Sequence, residues 1–181
     1  FKDITAQANV NGGDGMKTGV SMIDINGDGR LDLYVCKSGL FDVPFRKNVL
    51  YINNGNLSFT ERSTEFGLDD PSYTTQTYFF DMDLDNDLDV LMVNHPINWK
   101  DINNINVTYE LNAIINDFNQ DGYPDMYICN DYLQPDVLFI NNKNNTFKKS
   151  FKDYFSHQSH SSMGSEMLDI NNDGYFDMMT L

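Results

Sequence analysis

The chain has 181 residues, of which 40% are hydrophobic and 13% aromatic. This is enough apolar material for a folded core and too much for a disordered acidic tail. The formal net charge of −15 argues against nucleic acid as a partner, because the phosphates would be repelled. No run of about 18 apolar residues is present that could span a membrane.

The first predicted feature is an acidic loop, DINGDGRLD, at residues 24–32. Carboxylates this close together repel one another unless a cation neutralises them. The same frame, D-x-[DN]-x-D-x-x-x-D, recurs three times. The four copies are named loop 1 (24–32), loop 2 (81–89), loop 3 (117–125) and loop 4 (169–177). They contain 14 of the 27 acidic residues, so the negative charge is concentrated in these loops.

Each loop lies between two strand-like runs, such as TGVSMI before loop 1 and LDLYVC around its end. A second element, NVLYINNGNLSFTERS at 48–63, resembles DVLFINNKNNTFKKSF at 136–151. Its NNG triplet at 53–55 predicts a tight hairpin turn. Each complete repeat therefore predicts four strands, as in a β-propeller blade.

We therefore expect an all-β fold over residues 1–181, a β-propeller of four-stranded blades with only about four blades, a partial ring. Residues at the N-terminus would enter in mid-blade as a strand. The loops start 57, 36 and 52 residues apart, so the second repeat is short. The anomaly falls at residues 98–110, where either a missing segment or a genuine deletion would explain it. Trp99 lies there, and an exposed aromatic side chain could stack on a sugar.

The loop pattern predicts a metal site in each copy. Positions 1, 3, 5 and 9 carry oxygen side chains, and position 6 is Gly in three copies and Asn86 in the other. Position 7 has no shared chemistry, as expected if only its backbone carbonyl is a ligand. Hard oxygen ligands without His or Cys favour Ca²⁺ over Zn²⁺, and the number of oxygens disfavours Mg²⁺. We expect about one Ca²⁺ per loop, up to four. The predicted ligands at positions 1, 3, 5, 7 and 9 are Asp24, Asn26, Asp28, Arg30 and Asp32; Asp81, Asp83, Asp85, Asp87 and Asp89; Asp117, Asn119, Asp121, Tyr123 and Asp125; and Asp169, Asn171, Asp173, Tyr175 and Asp177.

Two other interpretations fit the four loops less well. An EF-hand loop starts similarly but needs an acid at position 12 and flanking helices. Position 12 is Val35, Met92, Ile128 or Thr180, and the flanks are strand-like. A solvated turn explains one such loop better than four copies in one register.

Other residues with chemical potential have simpler interpretations. Cys36 and Cys129 lie at equivalent positions of two repeats, so free buried thiols are favoured over a disulfide bond. His157 and His160 fit a surface loop or a packing role better than a metal site. Asp131 and Asp136 are interpreted as polar groups of a loop. No nucleophile elbow, P-loop or CxxC motif is present, and we expect no catalytic residues.

The acidic loops, the LYxNNGxxxFxE strand pair and a G-x₄-D lead-in together resemble the FG-GAP/VCBS repeats of integrin-α-like β-propellers. Gly19 and Gly164 keep this lead-in, whereas Gln76 and Asn112 replace its glycine. NDYLQPDVLFINN at 130–142 and HSSMGSEMLDINNDGYFDMMTL at 160–181 are most similar to bacterial surface proteins related to cartilage acidic protein. Those proteins often carry an ASPIC/UnbV region, which is absent here.

The resemblance implies Ca²⁺ in the loops, a propeller of about seven blades and export from the cell. We expect a non-enzymatic module that binds protein or glycan outside the cell or at the bacterial outer membrane, where a lipoprotein anchor is one means of attachment. Two alternatives stay open. One is a calcium-loaded propeller enzyme acting on polysaccharide, such as a lyase. The other is a structural subunit of a larger outer-membrane assembly.

Overall fold

The computed structural model describes residues 1–95, 110–131 and 134–181. In these ranges the chain forms twelve strands and three four-residue helices, and the prediction of an all-β chain is confirmed. None of the helices in these ranges is long and apolar enough for a membrane span. The chain divides into two units, which are described separately. Unit 1 comprises residues 1–79 and 90–94, and unit 2 comprises residues 80–89 and 95–181.

Unit 1 is built on a four-stranded antiparallel sheet in the order β1-β2-β3-β4. Tyr34 and Cys36 of β2 and Leu50 and Ile52 of β3 point to one face, because side chains two apart on a strand share a face. Leu68 completes this buried cluster. The elements are α1 (Thr5–Ala8), β1 (Met16–Ile23), β2 (Asp32–Ser38), α2 (Val43–Arg46), β3 (Val49–Gly55) and β4 (Ser58–Glu61).

A two-stranded sheet, β5 (Thr74–Phe80) and β6 (Asp89–Asn94), holds loop 2 between its strands. Phe79 and Met92 from this sheet pack against the core of unit 1. The Phe79 ring meets the Tyr34 ring edge to face, with their centroids 5.4 Å apart. The strands on either side of loop 2 are thus fixed by aromatic and apolar packing.

Unit 2 repeats the plan of unit 1. Its four-stranded antiparallel sheet has the order β10-β9-β8-β7, and β11 and β12 form a two-stranded antiparallel sheet. Tyr127, Cys129, Leu138 and Ile140 occupy the positions that Tyr34, Cys36, Leu50 and Ile52 occupy in unit 1, and Phe151 joins them. The elements are β7 (Glu110–Asn116), β8 (Asp125–Asn130), β9 (Val137–Asn141), β10 (Phe147–Lys149), α3 (Phe151–Tyr154), β11 (Ser165–Leu168) and β12 (Asp177–Thr180).

Two sequence predictions about local structure are wrong. The first ordered element near the N-terminus is the helix α1, and no strand precedes β1, so the expected mid-blade strand is not there. The hairpin of unit 1 turns at Asn56 and Leu57, not at the NNG triplet, because Gly55 pairs with Ser58. Both turn residues have positive φ, 52° and 55°, as a type I′ turn requires.

The predictions made for residues 98–110 concern a segment outside the described residues, except that Glu110 begins β7. Trp99 and its proposed stacking on sugar also fall outside the described residues.

Candidate metal-binding loops

The four acidic loops occupy the same place in the fold. Each joins two neighbouring antiparallel strands: β1 to β2, β5 to β6, β7 to β8, and β11 to β12. The prediction that each loop lies at a strand-to-strand junction is confirmed. The four loops are therefore copies of one structural motif.

One hydrogen-bond network recurs in all four loops. The carboxylate at position 1 accepts the backbone N–H groups of positions 5 and 6, at 2.7–3.1 Å. The carboxylate at position 5 accepts the N–H of position 7, at 2.9–3.0 Å. The carboxylate at position 9 accepts the N–H of position 2, at 2.8–3.1 Å. These bonds tie three carboxylates of each loop to the loop backbone.

The backbone is left-handed at two positions of each loop. Position 6 has φ between 72° and 90° in Gly29, Asn86, Gly122 and Gly174, as the sequence predicts. Position 4 is also left-handed, with φ between 58° and 70° in Gly27, Leu84, Gln120 and Asn172. The sequence does not reveal this conformation at position 4, because these four residues share no chemistry.

The position 9 aspartates have a structural role that the sequence analysis did not predict. Asp32 and Asp125 are completely buried. The second oxygen of Asp32 accepts the N–H of Asn53 on β3, and that of Asp125 accepts the N–H of Asn141 on β9, both at 2.7 Å. Burial raises the pKa of Asp125, and these backbone hydrogen bonds oppose the rise. Each of the two carboxylates joins its loop to the third strand of its sheet.

The residue at position 3 differs between loop 2 and the other three loops. In loops 1, 3 and 4 an asparagine accepts the N–H of position 5 and donates its own amide N–H to the position 5 carboxylate, at 2.9–3.2 Å. Loop 2 has Asp83 there, whose side chain has no N–H to donate. Its buried Oδ1 atom has no hydrogen-bond partner among the described residues.

A cation lies beside position 5 in two loops. The Arg30 Nη2 atom is 2.5 Å from Asp28 Oδ2 in loop 1. The Lys143 Nζ atom is 3.2 Å from Asp121 Oδ2 in loop 3. Burial works to raise the pKa of Asp121, but the N–H of Tyr123 and the Lys143 ammonium outweigh it and the pKa is lowered. In loop 2 the opposite occurs: the hydrogen bond from Asp87 to Asp85 and the charge of Asp85 raise the pKa of Asp87.

The donor set of loop 2 fits a calcium ion. Oxygen atoms of Asp81, Asp83 and Asp89 all lie within 4.8 Å of one another. Oxygens on opposite sides of a Ca²⁺ ion are up to about 5 Å apart, since each is about 2.3–2.6 Å from the metal. Three ionised carboxylates repel one another, and one of their buried oxygens has no hydrogen-bond partner among the described residues. A hard cation would remove both costs.

The structure brings together the predicted side chains at positions 1, 3 and 9 of loop 2, whereas in loops 1, 3 and 4 the described contact between side chains of positions 1, 3, 5 and 9 is the hydrogen bond from position 3 to position 5. At position 7 the side chains differ in their partners: Arg30 pairs with Asp28, the Tyr123 ring lies 5.0 Å from Lys143 Nζ, and Tyr175 is 66% exposed. A shared role at this position could therefore come only from the backbone carbonyl. The identity of the metal ligands stays a prediction.

Asp136 lies in the loop immediately before β9, as interpreted from the sequence, but its side chain is completely buried. It accepts hydrogen bonds from Tyr127 Oη at 2.7 Å, Ser162 Oγ at 2.8 Å and the Asn130 N–H at 2.9 Å. Asn48 of unit 1 accepts the N–H of Lys37 in the same way. Aligning Asp136 with Asn48 across the two repeats could have revealed this bracing role.

The remaining candidates behave as simple structural groups. Cys36 and Cys129 are free and buried. His157 and His160 are exposed, and His160 forms an isolated bridge with Pro135.

Unit 2 also has a cleft of about 470 Å³ that could not be predicted from the sequence. It is lined mainly by aromatic and apolar side chains with a few polar groups, including Tyr154, Phe155, Tyr175, Phe176, Asp117, Gln120 and Asp177.

The fold and the loops define a class: an all-β repeat chain of antiparallel sheets in which a nine-residue acidic loop joins neighbouring strands. Residues 117–180 match the family described as FG-GAP-like repeat. This range, about a third of the chain, contains loops 3 and 4 and most of unit 2, and it supports an FG-GAP repeat there. No curated protein was found that matches the chain.

Proposed function

We propose that the chain is part of a calcium-binding β-propeller that works outside the cell as a non-enzymatic binding or assembly module for protein or glycan. The observation that carries the metal assignment is loop 2, where three carboxylates converge and the buried Asp83 Oδ1 atom has no hydrogen-bond partner among the described residues. The FG-GAP-like repeat at 117–180 supports the propeller-like architecture and the binding role.

The role of calcium in this proposal is structural. An ion in a loop would be held by the oxygens of positions 1, 3, 5 and 9 and the carbonyl of position 7, and it would neutralise the cluster. Four ions would change the formal charge of the chain from −15 to −7. Because the loops have this shape only in the folded chain, calcium would stabilise the fold by mass action.

The location follows from the affinity expected of such loops. Extracellular calcium modules typically bind at about 10⁻⁴–10⁻³ M, a concentration reached outside the cell. We therefore propose a secreted or surface-bound protein, of the kind related to cartilage acidic protein at the bacterial outer membrane. Partners in a larger outer-membrane assembly are compatible with this role.

The cleft in unit 2 supports a binding function. Tyr175 and Phe176 at its edge are 66% and 62% exposed. Exposed aromatic faces beside carboxylate and amide groups suit stacking on sugar rings or contact with a protein partner. A fold of this class can serve many functions, so the ligand must be identified by experiment.

The test is to count bound metal in loop variants. Calcium retained after gel filtration in calcium-containing buffer is measured by inductively coupled plasma mass spectrometry, for the wild type, Asp28→Ala, Asp83→Ala and the control Asp153→Ala. Asp153 is a surface residue near Lys148, outside the loops. We expect each loop variant to lose about one ion and the control to lose none. Equal metal content in all four proteins, or none in any, would refute the metal assignment.

A further inference from the structure

We infer that the loops differ in their need for calcium: loop 2 fills at the lowest calcium concentration, while Arg30 and Lys143 serve loops 1 and 3 as built-in counter-ions. This inference rests on the proposed calcium function and deepens it.

The first difference is an amide donor. In loops 1, 3 and 4 the asparagine at position 3 donates to the position 5 carboxylate, so the two side chains attract each other. In loop 2 the pair is Asp83 and Asp85, which can only repel each other when both are ionised. Loop 2 therefore lacks an internal bond that the other three loops possess.

The second difference is a cation that reaches the same carboxylate from two different places in the chain. In loop 1 the cation is Arg30, at position 7 of the loop itself, and its Nε atom also donates to the carbonyl of Asn53 at 3.0 Å. In loop 3 position 7 is Tyr123, and the cation is Lys143 from the turn after β9. Lys143 also donates to the backbone carbonyl of Asp121 at 3.3 Å.

The two arrangements are complementary within the repeat. Gly55 follows Asn53 and Asn54 on β3, and Lys143 follows Asn141 and Asn142 at the same place in the other hairpin. The first hairpin has no side chain at this place and the loop supplies the cation, whereas the second hairpin supplies it and the loop does not. One cation thus lies at the position 5 carboxylate in both repeats that have four described strands.

Loop 2 has the reverse charge at the same place. Its position 7 residue is Asp87, so the loop holds five carboxylates and no basic residue. Loops 1 and 3 have three carboxylates each and a cation, and loop 4 has three carboxylates and its asparagine donor. Calcium affinity rises with the number of charged ligands, so loop 2 should bind the first ion.

The binding of this ion would affect a neighbouring element. The Asn141 Nδ2 atom donates to the carbonyl of Met82 in loop 2 at 2.9 Å, and the Asn141 N–H bonds Asp125 of loop 3. Both contacts lie within unit 2. A loop 2 that opens without calcium would lose its contact with β9, while loop 3 keeps its own.

The test is a calorimetric titration of calcium chloride into the metal-free chain at low ionic strength. We expect one tight ion and a weaker class. Asp83→Asn combined with Asp87→Arg gives loop 2 the residues of loop 1 at positions 3 and 7, so it should move the tight ion into the weaker class and raise the melting temperature without metal. Arg30→Gln should tighten one weak site about 30-fold, the effect of one unit charge about 4 Å from a divalent ion in water. Arg62→Gln is the matched control, because Arg62 pairs with Glu65 outside the loops.

The outcomes separate this inference from the proposed function. If the ions bind with equal affinity, or if Arg30→Gln weakens binding or leaves it unchanged, the built-in counter-ions are refuted while calcium binding stands. Retention of the tight ion by the double variant would also overturn the inference. If no ion binds to any loop, both the proposed function and this inference fail.

Discussion

Leu84 adopts a left-handed backbone conformation, φ 64°, at position 4 of loop 2. Glycine adopts this conformation freely and occupies the same position in loop 1. A large side chain with a Cβ atom is strained there, at a cost of order 1–3 kcal/mol. The strain lies in the loop with the most carboxylates.

Replacing Leu84 by glycine should therefore stabilise the chain. We expect Leu84→Gly to increase the free energy of unfolding by about 1 kcal/mol, because relief of strain exceeds the entropy gained by the unfolded chain. The measurement is urea unfolding with and without calcium. Leu88→Gly is the control, since Leu88 is also exposed but is not among the residues with positive φ. Equal destabilisation by both substitutions would show that Leu84 is not strained.

The two buried cysteines predict that the stability of the fold depends on pH. Burial raises the pKa of both Cys36 and Cys129 to about 11, and weak hydrogen bonds to Thr77 and Ser165 oppose this rise. The pKa of an unfolded thiol is about 8.5, so the unfolded chain loses its thiol protons first as the pH rises. The stability contributed by the protonated thiols is complete below about pH 8.5 and is lost as the pH rises to 11.

We expect the wild type to lose more stability than Cys36→Ala between pH 8 and pH 10.5, because alanine has no thiol proton to lose. The measurement is urea unfolding at both pH values under reducing conditions. In the native chain at pH 8, a thiol reagent should react with neither cysteine until urea is added. Rapid reaction of the folded chain, or an equal loss of stability in the two proteins, would contradict the buried environment.

At the scale of single residues, the register of the loops and the glycine at position 6 could be predicted, because both recur in the sequence. Neither position 4 nor the burial of Asp136 could be predicted. The first depends on backbone conformation with no shared side chain, and the second on Tyr127 and Ser162, which are far apart in the sequence.

The elements are held together by the buried position 9 carboxylates. Asp125 bonds the N–H of Phe118 in loop 3 with one oxygen and the N–H of Asn141 on β9 with the other. An asparagine at this position could accept only one of these bonds and would direct an N–H at the other donor. Asp32 has the same arrangement in unit 1.

We therefore expect Asp125→Asn to cost about 1–3 kcal/mol in the presence of EDTA, the usual penalty for an unsatisfied buried group. Asp177→Asn is the matched control at position 9 of loop 4, where the carboxylate is partly exposed and accepts the N–H of Ile170. Chemical unfolding in EDTA separates this effect from metal binding. Equal costs for the two substitutions would show that the bond to the third strand contributes nothing.

At the scale of elements, the order strand, loop, strand, strand, strand could be predicted because alternating apolar residues and the acidic loops recur. The place of the hairpin turn could not, because asparagine and glycine occur at several neighbouring positions. Pairing of Gly55 with Ser58 moves the turn to Asn56 and Leu57. The short helix α1 was missed because one turn of helix leaves no periodic pattern.

For the whole molecule, the central question is whether the excess negative charge is balanced by calcium. More than half of the acidic residues lie in the four loops, and the chain has only 12 lysines and arginines. Without metal, repulsion within the loops opposes folding, most of all in loop 2. In the proposed function, calcium would make the same carboxylates ligands and would stabilise the folded chain.

The most direct test is a thermal melt of the chain in EDTA and then in millimolar calcium, with bound metal counted by mass spectrometry. The account predicts a large rise in melting temperature with calcium and about one ion per loop, whereas magnesium at the same concentration should have a much smaller effect. An unchanged melting temperature and no bound metal would contradict it and would leave the four acidic loops as solvated turns.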